Sequence, residues 1–397
     1  LVRWLRRQWL PLATVAISAA VLYLVFWVVI PSGWLTLAPG PAPDVSSLVR
    51  PEEGAAGLDS NRGQGRFLLT TVQAWPATPI ELWKAAFWDG VELHPRRYLV
   101  PVGMADKTYT DWSFAAMAES QMTAAWQAWT FLGHGVTLAA EGGEVFWVSA
   151  RGPAVGQVRA GDLIVSWTLG QRSSWFVTAD EFKREVSEAY AGLSGVGGAG
   201  AGVGDAVVPA GPGNLILGLT RDGAPLTVAV RVDGVGLASW PFLGLALGAR
   251  GLRSEPPIPV VFPPADIGGP SGGLMLALQI VDDFTPGDLT GGQVVAGSGT
   301  IGPGGRVGAV GGVTMKVLGA SRAGATVFLV PNADYDSARS AISDLGLAVR
   351  LIPVSDVGDA CESLGAVFLT AGKSPDYNRA DLRPPAAEQA TWAAVGR

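Results

Sequence analysis

The sequence predicts an α/β domain placed behind a mainly β domain and an N-terminal transmembrane helix. Three observations carry that expectation. Strand and helix signals alternate between residues 240 and 370, short strands separated by turns fill 133–235 around a single helix, and residues 9–30 hold no charged side chain.

Composition narrows the function classes. The 397 residues exceed one ordinary core, so two or three folded units are expected. With 48% hydrophobic and 16% charged residues, the chain is too apolar to stay disordered, and its charged downstream segments exclude a polytopic membrane protein. Lys plus Arg total 28 against 34 Asp plus Glu, and the net charge of −6 argues against nucleic acid as a partner. The lone cysteine, Cys361, makes neither an internal disulfide nor a cysteine-based zinc site. Two histidines, His94 and His134, leave little imidazole for metal or base chemistry, so no metal or other cofactor is expected.

Taken in order, residues 1–8 read as a cytoplasmic N-terminus and 9–30 as the spanning helix, long enough at about 1.5 Å per residue to cross a hydrocarbon core of about 30 Å. Arg3, Arg6 and Arg7 precede the span and no basic residue follows until Arg50, which orients a single-pass protein with its bulk outside the cell membrane. The bulky run 22–29 offers no small-residue cleavage site, which favours an anchor over a cleaved signal peptide. Residues 31–64, with Pro39, Gly40, Pro41 and Pro43, read as a linker. In 65–132 a strand is expected at 66–74 and an amphipathic helix at 113–132, its tryptophans serving as packing residues. Within 133–235 the expected order is a strand at 144–149, the turn Gly152-Pro153-Ala154, an apolar run at 158–165, a helix at 178–190 and strands at 215–221 and 226–232 about the turn Asp222-Gly223. A Gly- and Ala-rich insertion at 192–213 should loop out of that unit. The α/β unit follows at 240–370, with helices expected at 271–284, 313–323, 334–345 and 357–364. Residues 371–397 read as a flexible tail.

Two short motifs could carry chemistry. Gly268-Gly269-Pro270-Ser271-Gly272-Gly273 puts a serine at the start of an apolar helix, where unpaired N–H donors and the positive end of the helix dipole would stabilise an oxyanion. A serine that merely caps the helix fits the same pattern. Residues 269–273 also match the G-x-S-x-G elbow of α/β-hydrolases, but those place the histidine after the serine, whereas His94 and His134 both precede Ser271. The remaining base is an amine. Of five lysines, Lys316 stands in Gly311-Gly312-Val313-Thr314-Met315-Lys316, among apolar neighbours near a helix start, where burial and the dipole both lower an amine pKa from about 10.4. Its spacing alone fits a catalytic base and a surface lysine equally.

The run Gly152-Pro153-Ala154 followed by Arg159-Ala160-Gly161-Asp162-Leu163 resembles a PDZ domain, which binds an extended peptide end along a sheet edge. The serine and lysine motifs together, with Thr290-Gly291 between them, resemble the proteolytic domain of Lon-type proteases over about 240–365. That resemblance implies Ser271 as nucleophile, Lys316 as general base, Thr290 as a residue orienting the amine, and backbone at Gly269 and Gly272 at the oxyanion. Two positions depart from the family's pattern: Gly272 replaces an alanine and Gly268 an acidic residue. The nucleotide-binding G-x-x-x-x-G-K-[ST] motif is absent, since Gly372-Lys373-Ser374 has Val367 where its first glycine belongs. The whole resembles the bacterial membrane-anchored, ATP-independent, PDZ-containing Lon-like serine proteases. Polypeptide substrates and a hexameric homo-oligomer are thereby implied. A catalytically silent PDZ scaffold at the membrane is the alternative reading.

Overall fold

The structure is a computed structural model that describes residues 2–29, 32–52, 65–85, 87, 90–193, 213–233 and 241–365. Helix α1 (Val2–Val29) contains the stretch expected to span a membrane except Ile30, which lies outside the described residues. Its described side chains include Val15, Ile17, Leu22 and Leu24, all exposed, and their longest unbroken run is 13–25. Among the described residues no helix is long and apolar enough to cross a membrane.

The expected linker is structured wherever it is described. Strand β1 (Trp34–Pro39) and the short β2 (Arg50–Pro51) flank a one-turn helix, Val45–Ser47, capped by the Asp44 carboxylate on the Ser46 N–H. Leu35 and Leu37, two residues apart and so on one face of β1, are buried, as are Val45 and Val49. The proline and glycine content of 31–64 masked this apolar periodicity; residues 53–64 lie outside the described set. The strand expected at 66–74 is two, β3 (Arg66–Leu69) and β4 (Val72–Pro76), because they serve different sheets. After α2 (Pro79–Ala85) comes β5 (Glu92–Pro95), and β4-β1-β5 form a three-stranded antiparallel sheet. Helix α3 (Asp106–Phe131) begins a full two turns before the expected start.

A larger antiparallel sheet follows. Strands β6 (Leu138–Ala139), β7 (Gly142–Val148), β8 (Leu163–Leu169) and β9 (Arg172–Trp175) precede α4 (Ala179–Leu193), then β10 (Gly213–Arg221), β11 (Ala224–Val232) and β12 (Leu245–Arg250). The order is β11-β10-β8-β7-β12, with β9 on β8. Asp222 and Gly223 both take left-handed backbone, as a two-residue hairpin requires. Asp162, in the RAGD turn, accepts from the Arg159 N–H and the Arg221 guanidinium, which fastens that turn to the end of β10. Trp167, Phe182, Leu215 and Leu217 fill the core, and Leu245 and Leu247 of β12 join them. The sheet therefore extends past the expected boundary at 235, because β7 finds its second partner only in β12. Most of the Gly- and Ala-rich insertion, 194–212, lies outside the described residues.

The last unit is built around a parallel sheet. β13 (Arg253–Ser254) pairs with β6, and β14 (Val260–Val261) with β2. Then come α5 (Gly273–Asp283), β15 (Val294–Gly297), the hairpin β16 (Thr300–Ile301) and β17 (Val307–Gly308), α6 (Val313–Arg322), β18 (Val327–Pro331), α7 (Tyr335–Asp344), β19 (Arg350–Val354) and α8 (Val357–Ser363). The sheet runs β19-β18-β15-β3, all parallel, so its edge strand comes from residues 66–69, well outside 240–370. Both faces are covered: Val327 and Leu329 share a core with α5, while Phe328 and Val330 share one with α6 and α7. Residues 366–397, with the expected tail, lie outside the described set.

Candidate active site

Ser271 stands just before α5, and its backbone is stitched to the end of β15. Its carbonyl accepts the Gly299 N–H (2.9 Å) and the Ser298 hydroxyl (3.0 Å), while Leu274 N–H, in the first turn of α5, donates to Gly299 O (3.1 Å). Helix α3 holds the other side of the loop. Gly269 N–H donates to Ser113 O (2.8 Å) and the Ser120 hydroxyl donates to Pro270 O (2.8 Å). Gly268 packs closely on α3, where a Cβ would stand 2.3 Å from Ser113 Oγ and 3.2 Å from Ser113 Cβ, and Gly269 takes a left-handed φ of 85°.

Lys316 arrives from the first turn of α6, whose N-cap, Gly312, has left-handed backbone. Its Nζ lies 2.8 Å from Ser271 Oγ and 2.9 Å from Ser298 Oγ, and the residue is 4% exposed. Burial lowers the amine pKa from 10.5 to about 8, with the Asp334 carboxylate pulling partly the other way. Asp334 is itself anchored, accepting the Val310 N–H (2.8 Å), and burial raises its carboxyl. A neutral amine has two N–H donors and one lone pair. The ammonium donates to both Ser271 Oγ and Ser298 Oγ; once neutral, donation to Ser298 Oγ leaves the lone pair for the Ser271 hydroxyl, while Ser298 gives its own proton to Ser271 O. The ring of three bonds orients the lone pair.

Two expected roles move. Thr290 is buried, but its hydroxyl and N–H both donate to Asp288 Oδ1 in the loop before β15, and its place beside the amine is taken by Ser298 at the end of β15. The sequence held a signal for this: Ser298-Gly299 is also a hydroxyl–glycine step, nearer the lysine and directly after an apolar strand. Gly269 is the second, because its N–H is committed to Ser113 O. Gly272 differs: its N–H and that of Ser271 have no acceptor among the described residues. Asp334 was not singled out from sequence, since its approach to Lys316 depends on how α6 and the start of α7 pack.

The imidazoles sit elsewhere. His94 Nε2 is 2.8 Å from Glu92 and the ring stacks on Tyr98, while His134 meets the edge of Trp129. Cys361 is buried and its thiol pushed up to about 12, chiefly by that burial. Among the described residues no group of His, Cys, Asp and Glu side chains is placed to hold a metal ion.

A buried amine on a seryl hydroxyl at a glycine-lined helix start is the equipment of a serine hydrolase that works without histidine. Residues 259–364 match the family model of the Lon protease (S16) C-terminal proteolytic domain. The chain thus carries a Lon-type serine protease domain, and polypeptides are its class of substrate. No curated protein matches the chain.

Proposed function

We propose that the chain is a membrane-anchored, ATP-independent endopeptidase in which Ser271 is the nucleophile and Lys316 the general base. The observation that supports this most directly is the 2.8 Å approach of a buried amine to the Ser271 hydroxyl. Lys316 Nζ takes the Oγ proton as Oγ attacks the scissile carbonyl carbon, and the N–H groups of Ser271 and Gly272 receive the oxyanion. The ammonium then protonates the leaving amine. Water then enters and gives a proton to the same amine as its oxygen attacks the acyl carbon, and the ammonium returns that proton to Oγ as the acyl–Oγ bond breaks and the acid leaves. Ser298 acts as the positioning residue in place of Thr290.

The wider reading rests on the sequence. The uncharged stretch 9–30 with its three preceding arginines supports an anchor whose bulk lies outside the cell membrane. The RAGD turn and the sheet that carries it support a PDZ-like module that selects flexible or unfolded segments. The resemblance of 240–365 to Lon-type proteolytic domains supports assembly into a hexameric ring. Ser271→Ala and Lys316→Arg should each abolish cleavage of an unfolded protein substrate with the far-ultraviolet circular dichroism unchanged. Turnover retained in either variant sinks the dyad. Absence of turnover in the parent chain, together with no labelling of Ser271 by a phosphonate, would support a silent scaffold instead.

A further inference from the structure

Helix α3 presents two rows of residues on neighbouring faces, spaced three or four apart along each row. Ser113, Met117 and Ser120 form the first and meet the nucleophile loop: Ser113 O holds Gly269 N–H, Met117 Cε would lie 3.6 Å from a Cβ on Gly272, and Ser120 holds Pro270 O. Trp112, Ala115 and Glu119 form the second and run along β12. Trp112 Nε1 donates to Leu247 O (2.8 Å), a Cβ on Gly248 would touch Ala115 Cβ at 3.3 Å, and Glu119 Oε2 accepts Ala249 N–H (2.8 Å). The other carboxylate oxygen, Oε1, accepts Ala179 N–H (2.8 Å) at the start of α4.

The positions on β12 matter. β12 is the last strand of its sheet and pairs only with β7. Residues two apart on a strand point their backbone groups to the same side, so Leu247 O and Ala249 N–H belong to one edge, which is the edge a further strand would need. Those groups are already satisfied by a helix side chain each. We propose that α3 is the built-in occupant of this sheet edge, and that Trp112 and Glu119 act as positioning residues that tie the edge to the loop before Ser271. A polypeptide adding to β12 must displace them. The same helix would then slacken its hold on Gly269 and Pro270, so edge occupancy and the geometry of Ser271 cannot change independently. The consequence for turnover rests on Ser271 being the nucleophile; the mechanical link does not.

The test uses the full chain. Trp112→Phe keeps an aromatic ring, though a smaller one, and removes one donor, and Glu119→Gln keeps the shape while turning a donor toward one of the two N–H groups. Amide hydrogen exchange is followed at Ala249 on the edge and at Gly269 on the loop, and phosphonate labelling of Ser271 in parallel. Either variant should speed exchange at both amides by about tenfold or more, with amides of β18 unchanged as a control for global unfolding. Labelling should slow, with kcat falling and KM nearly constant. Faster exchange at Ala249 with Gly269 unchanged overturns the coupling, and so does unchanged exchange at Ala249. Joint acceleration at both amides with no labelling in any chain, the parent included, would keep the link and remove the catalytic reading.

Discussion

Ser298 Oγ lies 2.9 Å from Lys316 Nζ and donates its own proton to the carbonyl of Ser271. One hydroxyl thus references the amine to the backbone of the residue whose side chain the amine faces. The pairing ties α6, β15 and the start of α5 into a single constellation, and it separates Ser298 from Thr290.

Ser298→Ala should lower kcat about 10- to 100-fold with little change in KM, because the amine loses the partner that aims its lone pair. The ammonium also loses an acceptor, so the ascending limb of the pH profile should move to lower pH. Thr290→Val should leave that limb where it is. Steady-state kinetics across pH on both variants check the contrast.

Lys316 acts when neutral, so kcat/KM should rise with pH through about 8 and level above it. A profile flat from pH 6 to 10 would contradict a lysine base.

The same depressed pKa sets a stability effect of known sign. The folded amine titrates near 8 and the unfolded one near 10.5, so the unfolded chain binds more protons between these values and stability climbs with pH across that window. Below pH 8 the penalty for burying the amine is fully present. Lys316→Met should therefore raise stability at pH 7 by about 1–3 kcal/mol, part of the gain being offset because the Ser271 hydroxyl loses its partner and Ser298 keeps only its bond to Ser271 O, and should abolish turnover. Chemical denaturation at pH 7 and at pH 10.5 should show the gain shrinking at the higher pH.

Gly268→Ala places a methyl 2.3 Å from Ser113 Oγ and 3.2 Å from Ser113 Cβ, which pushes the nucleophile loop away from α3. Activity should fall about tenfold or more. Ser113→Ala removes the nearer atom, so the double variant should recover a large part of the loss, measured as kcat/KM against each single variant.

Local signals are enough to place the two helices that carry the site. The helix at 273–283 begins two residues after Ser271 and that at 313–322 carries Lys316 in its first turn, because helix starts flanked by glycine and apolar periodicity are short-range signals. The order within 32–52 is hidden from composition, which averages over positions: Leu35 and Leu37 are two apart on one strand face, amid residues that otherwise disfavour order.

From the amino-acid order alone came the two helix-start motifs, the exclusion of imidazole, and the scarcity of lysine that made Lys316 conspicuous. The fold alone decided that Ser298 and not Thr290 meets the amine, that Gly269 has its N–H turned to Ser113, that β3 completes a parallel sheet from outside the expected domain, and that α3 lies on the edge of β12. Each of these depends on contacts between segments far apart in the chain. Local propensity and periodicity carry no information about which distant backbone groups a packed helix will satisfy; burial decides that when all the elements close on one core.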